Sequence, residues 1–189
     1  MDYSQYIIDL QEDFDIVQNE ILQVDPSAAQ NMGVHLTKIL ILTCASTYEQ
    51  RLQEAYVNYA KQEAANYGIR PNRFAYDKND KSVYQKFNFG HIVNSSDAST
   101  LKNYKNTLDP LKFFGEQFLN NLLGEIEADP EKEKQVNAFN EIFTMRNLIA
   151  HQTFVEFACN KIRNKSFGDI VSLHKDADIF VSYLVSKFN

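Results

Sequence analysis

The stretch GVHLTKILILTCASTYEQRLQEAYVNYAKQEAANY, from Gly33 to Tyr67, decides the fold. At about 100° per residue, Val34, Ile41, Ala45, Tyr48, Leu52, Ala55 and Tyr59 fall on one continuous stripe of a helix. Leu36, Leu40, Cys44 and Thr47 fall on a second. Gly68 follows as a natural helix-ending residue, with Pro71 just beyond. A helix apolar on two sides belongs at the centre of a bundle, or has one side in a core and the other at an oligomer interface.

Working outward, Tyr6, Ile7, Leu10, Phe14, Val17 and Ile21 recur at helical spacing and predict a first helix from Asp2 to Leu22. Asp25-Pro26-Ser27 interrupts it, because proline disfavours helical geometry in the residue before it. On the other side, Pro110 opens a helix through Phe113, Phe114, Phe118, Leu122 and Ile126. Asp129-Pro130 caps and opens the next, which continues through Phe139, Ile142, Phe143 and Ile149. Ile170, Leu173, Ala177, Phe180, Val181, Leu184 and Phe188 place a last helix over Asp169–Phe188. Residues 70–109 lack this regularity and read as an insert with short helices, where Arg70, Arg73, Lys78, Lys81 and Lys86 alternate with Phe74, Tyr76, Tyr84, Phe87 and Phe89. Such a mixture suits either a satellite apolar cluster or stacking on unpaired bases with cations on phosphates.

With six Gly and four Pro in 189 residues, the chain is short of the turn residues that a many-stranded sheet protein needs. The reading is a single all-α domain over residues 1–189. A 44% hydrophobic content supplies a core. The formal charge of −6 argues against a general nucleic-acid coat, though not against a local basic cleft. Ile39-Leu40-Ile41-Leu42 is the longest apolar run, far below the roughly 20 residues that span a bilayer. The acidic start lacks the basic region of a secretory signal, and Cys44 and Cys159 sit singly in apolar patterns. These features predict a cytoplasmic protein with two buried thiols, no structural metal and no membrane association. Phosphate-loop, dinucleotide-fingerprint, zinc-protease and EF-hand patterns do not occur.

One constellation carries chemistry. On the helix that follows Pro130, Phe139, Ile142, Phe143, Ile149 and Ala150 all lie within about 60° of Arg146. A guanidinium in the middle of an apolar stripe is costly unless it meets an anion. His151 lies about 140° round the helix, on a flank shared with Asn140, Thr144 and Asn147. Asn147 precedes it by one turn and is placed to orient the imidazole. An arginine on a core stripe beside a polar histidine flank suits an anion such as a phosphate. The plain alternative is a structural arginine–carboxylate pair with an ordinary exposed histidine.

Arg146-Asn147-Leu148-Ile149-Ala150-His151 resembles the R-x4-6-H motif of the HEPN superfamily, in the common form with a polar residue after the arginine. The segment Thr43–Leu52, with Glu49 after Tyr48, looks like the helix carrying an acidic residue after an aromatic in the RiboL-PSP-like branch. The tail from Thr153 to Phe188 is similar to that branch's closing segment, and residues 70–109 stay outside the likeness. The resemblance implies a HEPN-like bundle of four or five helices that forms a homodimer with two motifs facing across a cleft. It implies a metal-independent endoribonuclease without a cofactor, acting as a toxin or phage-defence effector on RNA, with a cognate antitoxin or regulatory protein as a further partner. Arg146 and His151 would be catalytic with Asn147 beside them, and Glu49 would support Arg146 by pairing with its fork. The alternative within the same likeness is a non-catalytic helical module that binds a partner protein or a nucleotide.

Overall fold

A computed structural model of the chain describes residues 3–67, 116–151 and 165–188. The insert expected over 70–109, Pro110, Phe113, Phe114, His91 and Cys159 lie outside the described residues. Every regular element among the described residues is helical. The first helix, α1, spans Tyr3–Ile16 and widens into a π-helical turn over Val17–Ile21 before a short turn, Leu22–Val24. Helix α2 spans Pro26–Tyr67, α3 Glu116–Glu127, α4 Pro130–His151 and α5 Phe167–Ser186.

Helix α2 begins seven residues earlier than the stripe over Gly33–Tyr67 implies. Asp25 takes an extended conformation, and its Oδ1 accepts a hydrogen bond from Ala28 N at 2.9 Å. Pro26 then occupies the first helical position, where a missing N–H costs nothing. The feature that breaks α1 therefore caps α2. The turn between α3 and α4 works the same way, because Asp129 Oδ1 accepts from Glu131 N at 3.0 Å and Pro130 starts α4. Ser166 and Asp169 form a reciprocal capping box at the head of α5.

The two-sided pattern of α2 is realised by packing against α1, α4 and α5. Leu40, Ile41, Cys44, Ala45, Tyr48 and Leu52 are fully buried, from both stripes. Val34, placed on the first stripe by the wheel, is exposed, while Gly33 beside it approaches Phe14 of α1. The α4 contribution centres on Phe139, Ile142 and Phe143, and the α5 contribution on Ile170, Ala177, Phe180, Val181 and Leu184. Phe14 of α1 stacks on Phe167 at 4.2 Å between ring centroids, tying the first helix to the head of the last. Among the described residues no helix is long and apolar enough to cross a membrane.

Candidate functional site

Arg146 lies on the α4 face that also carries Phe139, Ile142 and Phe143, one turn before the helix ends. At this end the apolar stripe leaves the core: Ile149 is half-buried and Ala150, which the wheel puts on the same stripe, is exposed. The arginine stem is thus held by the core while its head reaches the rim, with the side chain 27% exposed. It is not left uncompensated. Its Nη2 stands 3.7 Å from Glu49 Oε1 of α2, and its Nη1 donates to Asn147 Oδ1 at 3.0 Å.

The Glu49 contact is an ion pair rather than a hydrogen bond, since 3.7 Å exceeds hydrogen-bonding range. Glu49 Oε1 is itself buried and accepts no hydrogen bond among the described residues. An acceptor held just beyond bonding distance of a guanidinium restrains that group without saturating it. Among the described residues the fork therefore keeps donor capacity for another anion.

The flank expected to carry His151 is not a solvent-facing strip. Asn140, Thr144 and Asn147 are all buried. Thr144 returns its hydroxyl to Asn140 O at 2.8 Å, which satisfies it inside the helix. His151 is the last residue of α4, five positions after Arg146, and the placement of its imidazole lies outside the described residues. His35 sits inside α2 and faces solvent. Lys165, just ahead of α5, pairs with Glu141 of α4 at 2.9 Å and is neutralised. Among the described residues no cluster of three or more His, Cys, Asp or Glu side chains is arranged to hold a metal.

A second polar group, not singled out by the sequence, lies across the α2–α5 contact. The Tyr48 hydroxyl is 2.6 Å from His174 Nδ1, and the two rings are nearly parallel. Beside them Arg51 pairs with Asp178 and donates to Ser182 Oγ at 2.9 Å. Burial holds His174 below the ordinary histidine range and pushes the Tyr48 hydroxyl far above the tyrosine range. The Cys44 thiol, one turn before Tyr48, is pushed up to about 12 by burial and is therefore inert as a nucleophile. The signal in the sequence is the spacing of Tyr48 and Arg51 on one helix and of His174 and Asp178 on another. That spacing becomes meaningful only when the two faces are known to meet.

An open groove along the first half of α4, lined by Pro130, Glu133, Lys134, Asn137, Glu141 and Asp176 among others, does not include Arg146. No curated protein and no solved structure gives a significant match to the chain. The family model described as RiboL-PSP-HEPN matches residues 4–189, nearly the whole length, so that the helices, the Arg146–His151 hexapeptide and the Glu49 helix all fall within one family pattern. The chain belongs to the RiboL-PSP-HEPN family.

Proposed function

We propose that the protein is a metal-independent endoribonuclease whose active site is built around Arg146 and His151 and is completed by a second copy of the chain. The observation that carries this reading is the state of Arg146. Its stem is anchored in the core, its fork is only partly used by Asn147 and Glu49 among the described residues, and it precedes His151 by five positions, as in the R-x4-6-H motif that the segment resembles. Arg146 binds the scissile phosphate and stabilises the charge that builds in the transition state. His151 takes the proton from the ribose 2′-hydroxyl in one role and protonates the departing 5′-oxygen in the other. With two copies facing each other, one histidine serves as base and the other as acid. The 2′-oxygen attacks phosphorus as the P–O5′ bond breaks, leaving a 2′,3′-cyclic phosphate and a free 5′-hydroxyl. Glu49 holds Arg146 in place between turnovers, and its loose distance lets the fork turn to phosphate. Action as a toxin or defence effector, neutralised by a cognate partner, is the biological setting that fits this chemistry.

The decisive experiment is cleavage of total cellular RNA by wild type and His151→Ala in EDTA, with identification of the product ends. Cleavage by wild type alone, leaving cyclic or 3′-phosphate ends, is the expected result. A folded wild-type dimer that cuts nothing overturns the enzymatic reading. A second reading, a helical module that binds a protein partner, draws support from Met32, Ile39 and Leu42. These are exposed apolar side chains on one face of α2. In that case wild type and His151→Ala express equally well in a bacterial host, whereas an active ribonuclease is tolerated only as the variant.

A further inference from the structure

Tyr48 is the residue on which three helices meet. It is fully buried on α2. Its ring lies 5.8 Å from Phe139 and 6.4 Å from Phe143, the two α4 aromatics two turns and one turn before Arg146. On its other side it stacks over His174 of α5, 5.9 Å between centroids and 12° from parallel. The next residue in the chain is Glu49, which faces Arg146. Tyr48 therefore joins the α2–α5 contact to the position where α2 meets the arginine.

A buried tyrosine hydroxyl needs a partner, and besides the Cys44 thiol one turn back two atoms of His174 are in reach. His174 Nδ1 is at 2.6 Å and the His174 carbonyl oxygen at 3.3 Å. Nδ1 accepts the hydroxyl hydrogen when the imidazole proton sits on Nε2; with the proton on Nδ1 the hydroxyl donates to the carbonyl instead. We propose that His174 is a positioning residue for the Glu49–Arg146 pair, accepting the Tyr48 hydroxyl and so fixing the rotation of α2 that brings Glu49 to Arg146. The consequence for cleavage rests on the function proposed above, while the mechanical link does not. A turn of α2 by about 20° moves a side-chain tip at its surface by about 2 Å. From 3.7 Å that movement dissolves the ion pair.

The device is sensitive to protonation. Once His174 is charged, Nδ1 becomes a donor, and the Tyr48 hydroxyl must turn its hydrogen to the more distant carbonyl or to the Cys44 sulfur. The groups facing His174 are Tyr48, Cys44 and Arg51 from α2, and Asp178 and Lys175 from its own helix. From α4 the facing rings of Phe139 and Phe143 bring no charge. Burial, Arg51 and Lys175 oppose protonation and Asp178 favours it, with burial the largest influence, so the neutral imidazole is the resting form.

The test uses the full chain with His174→Asn and His174→Leu. Asparagine places an acceptor where Nδ1 stood and does not titrate, whereas leucine supplies none. Two readouts are followed from about pH 4 to 8, a window carried below the ordinary histidine range because burial lowers the His174 value. They are the Arg146 Nε–H nuclear resonance and the kcat and KM for RNA cleavage. The expected result is an Arg146 resonance that moves as His174 titrates in wild type, stays fixed in His174→Asn and is displaced at every pH in His174→Leu. In parallel, kcat falls about ten- to hundredfold in His174→Leu with KM little changed, and His174→Asn restores it. An Arg146 resonance that ignores both the titration and the leucine variant overturns the proposal. If His174→Leu does not fold, an identical pH response of that resonance in wild type and His174→Asn overturns it equally. A wild type that cuts no RNA removes the catalytic role of Arg146, yet a shared titration of His174 and the Arg146 resonance still supports the positioning link.

Discussion

At the scale of single residues, the contest over Arg146 is between charge and shape. A lysine at this position keeps the positive charge opposite Glu49 but replaces a planar fork by a point charge that cannot hold two phosphate oxygens at once. Both side chains of the Glu49–Arg146 pair are about a quarter exposed, so the pair contributes less than about 1 kcal/mol to stability. Arg146→Lys is therefore expected to unfold within a few degrees of wild type while kcat for RNA drops at least about tenfold. Equal losses of melting temperature and activity would assign Arg146 a purely structural role. His174 makes a separate prediction about stability. Above the ordinary histidine value of 6.5 the side chain is neutral in both folded and unfolded chains and carries no penalty. As the pH falls through 6.5 the unfolded chain binds the proton first, because burial lowers the folded value, and stability is lost from there down to that lower value. Thermal unfolding at about pH 7.5 and 5.5 should show a steeper loss for wild type than for His174→Asn. Parallel losses would mean that other groups carry the acid sensitivity. The helical wheel places Arg146 on the face of Phe139 and Phe143 because that relation is local to one helix. It gives no access to the Tyr48–His174 contact, which joins residues 126 positions apart and exists only through the packing of α2 on α5.

At the scale of elements, the caps are written plainly in the sequence and most of the boundaries follow from them. Asp129-Pro130 does what its residue types dictate, and Ser166 adds a capping box just ahead of the start expected at Asp169. The exception is the head of α2. Ser27 to Met32 are mostly small or polar and offer no apolar period to read, so the stripe becomes visible only from Gly33, although Asp25 already supplies the cap. That cap has a measurable weight. Asp25→Ala leaves an N-terminal N–H of α2 without its acceptor and should cost about 1 kcal/mol, a fall of several degrees in melting temperature. Asp25→Asn, which keeps an acceptor oxygen, should recover most of it. If alanine and asparagine behave alike, the helix head is held by packing, with Ala29 in the core, and not by the cap. At the far end of the bundle α3 is joined to α5 by polar contacts that periodicity cannot reveal. Tyr183 donates to Glu125, and Lys187 Nζ reaches the same carboxylate at 2.7 Å while lying 4.9 Å from the Tyr183 ring.

At the scale of the whole molecule, charge is divided along the chain. The described helices, residues 3–67, 116–151 and 165–188, hold nine Lys or Arg against 19 Asp or Glu. Residues 68–115 hold eight Lys or Arg against four Asp or Glu, in a chain whose total is 19 against 25. The framework cations are largely committed to carboxylates: Arg51 to Asp178, Lys134 to Asp176, Lys165 to Glu141 and Lys187 to Glu125. Releasing them to a polyanion means breaking an existing pair, whereas the framework's surplus carboxylates repel one. Electrostatic affinity for RNA is therefore expected to come from residues 68–115 together with Arg146. Replacing Arg70, Arg73, Lys78 and Lys81 by Gln should weaken binding of single-stranded RNA. The dependence of log affinity on log salt should become shallower by about 3, because each phosphate that a cation neutralises on a single strand adds roughly 0.7 to the slope. Lys134→Gln should leave both the affinity and the slope unchanged, because its charge is already answered by Asp176 at 3.1 Å. A slope unaffected by the fourfold substitution would place the RNA on the acidic helices. There the substrate would have to be recognised mainly by base stacking or by shape.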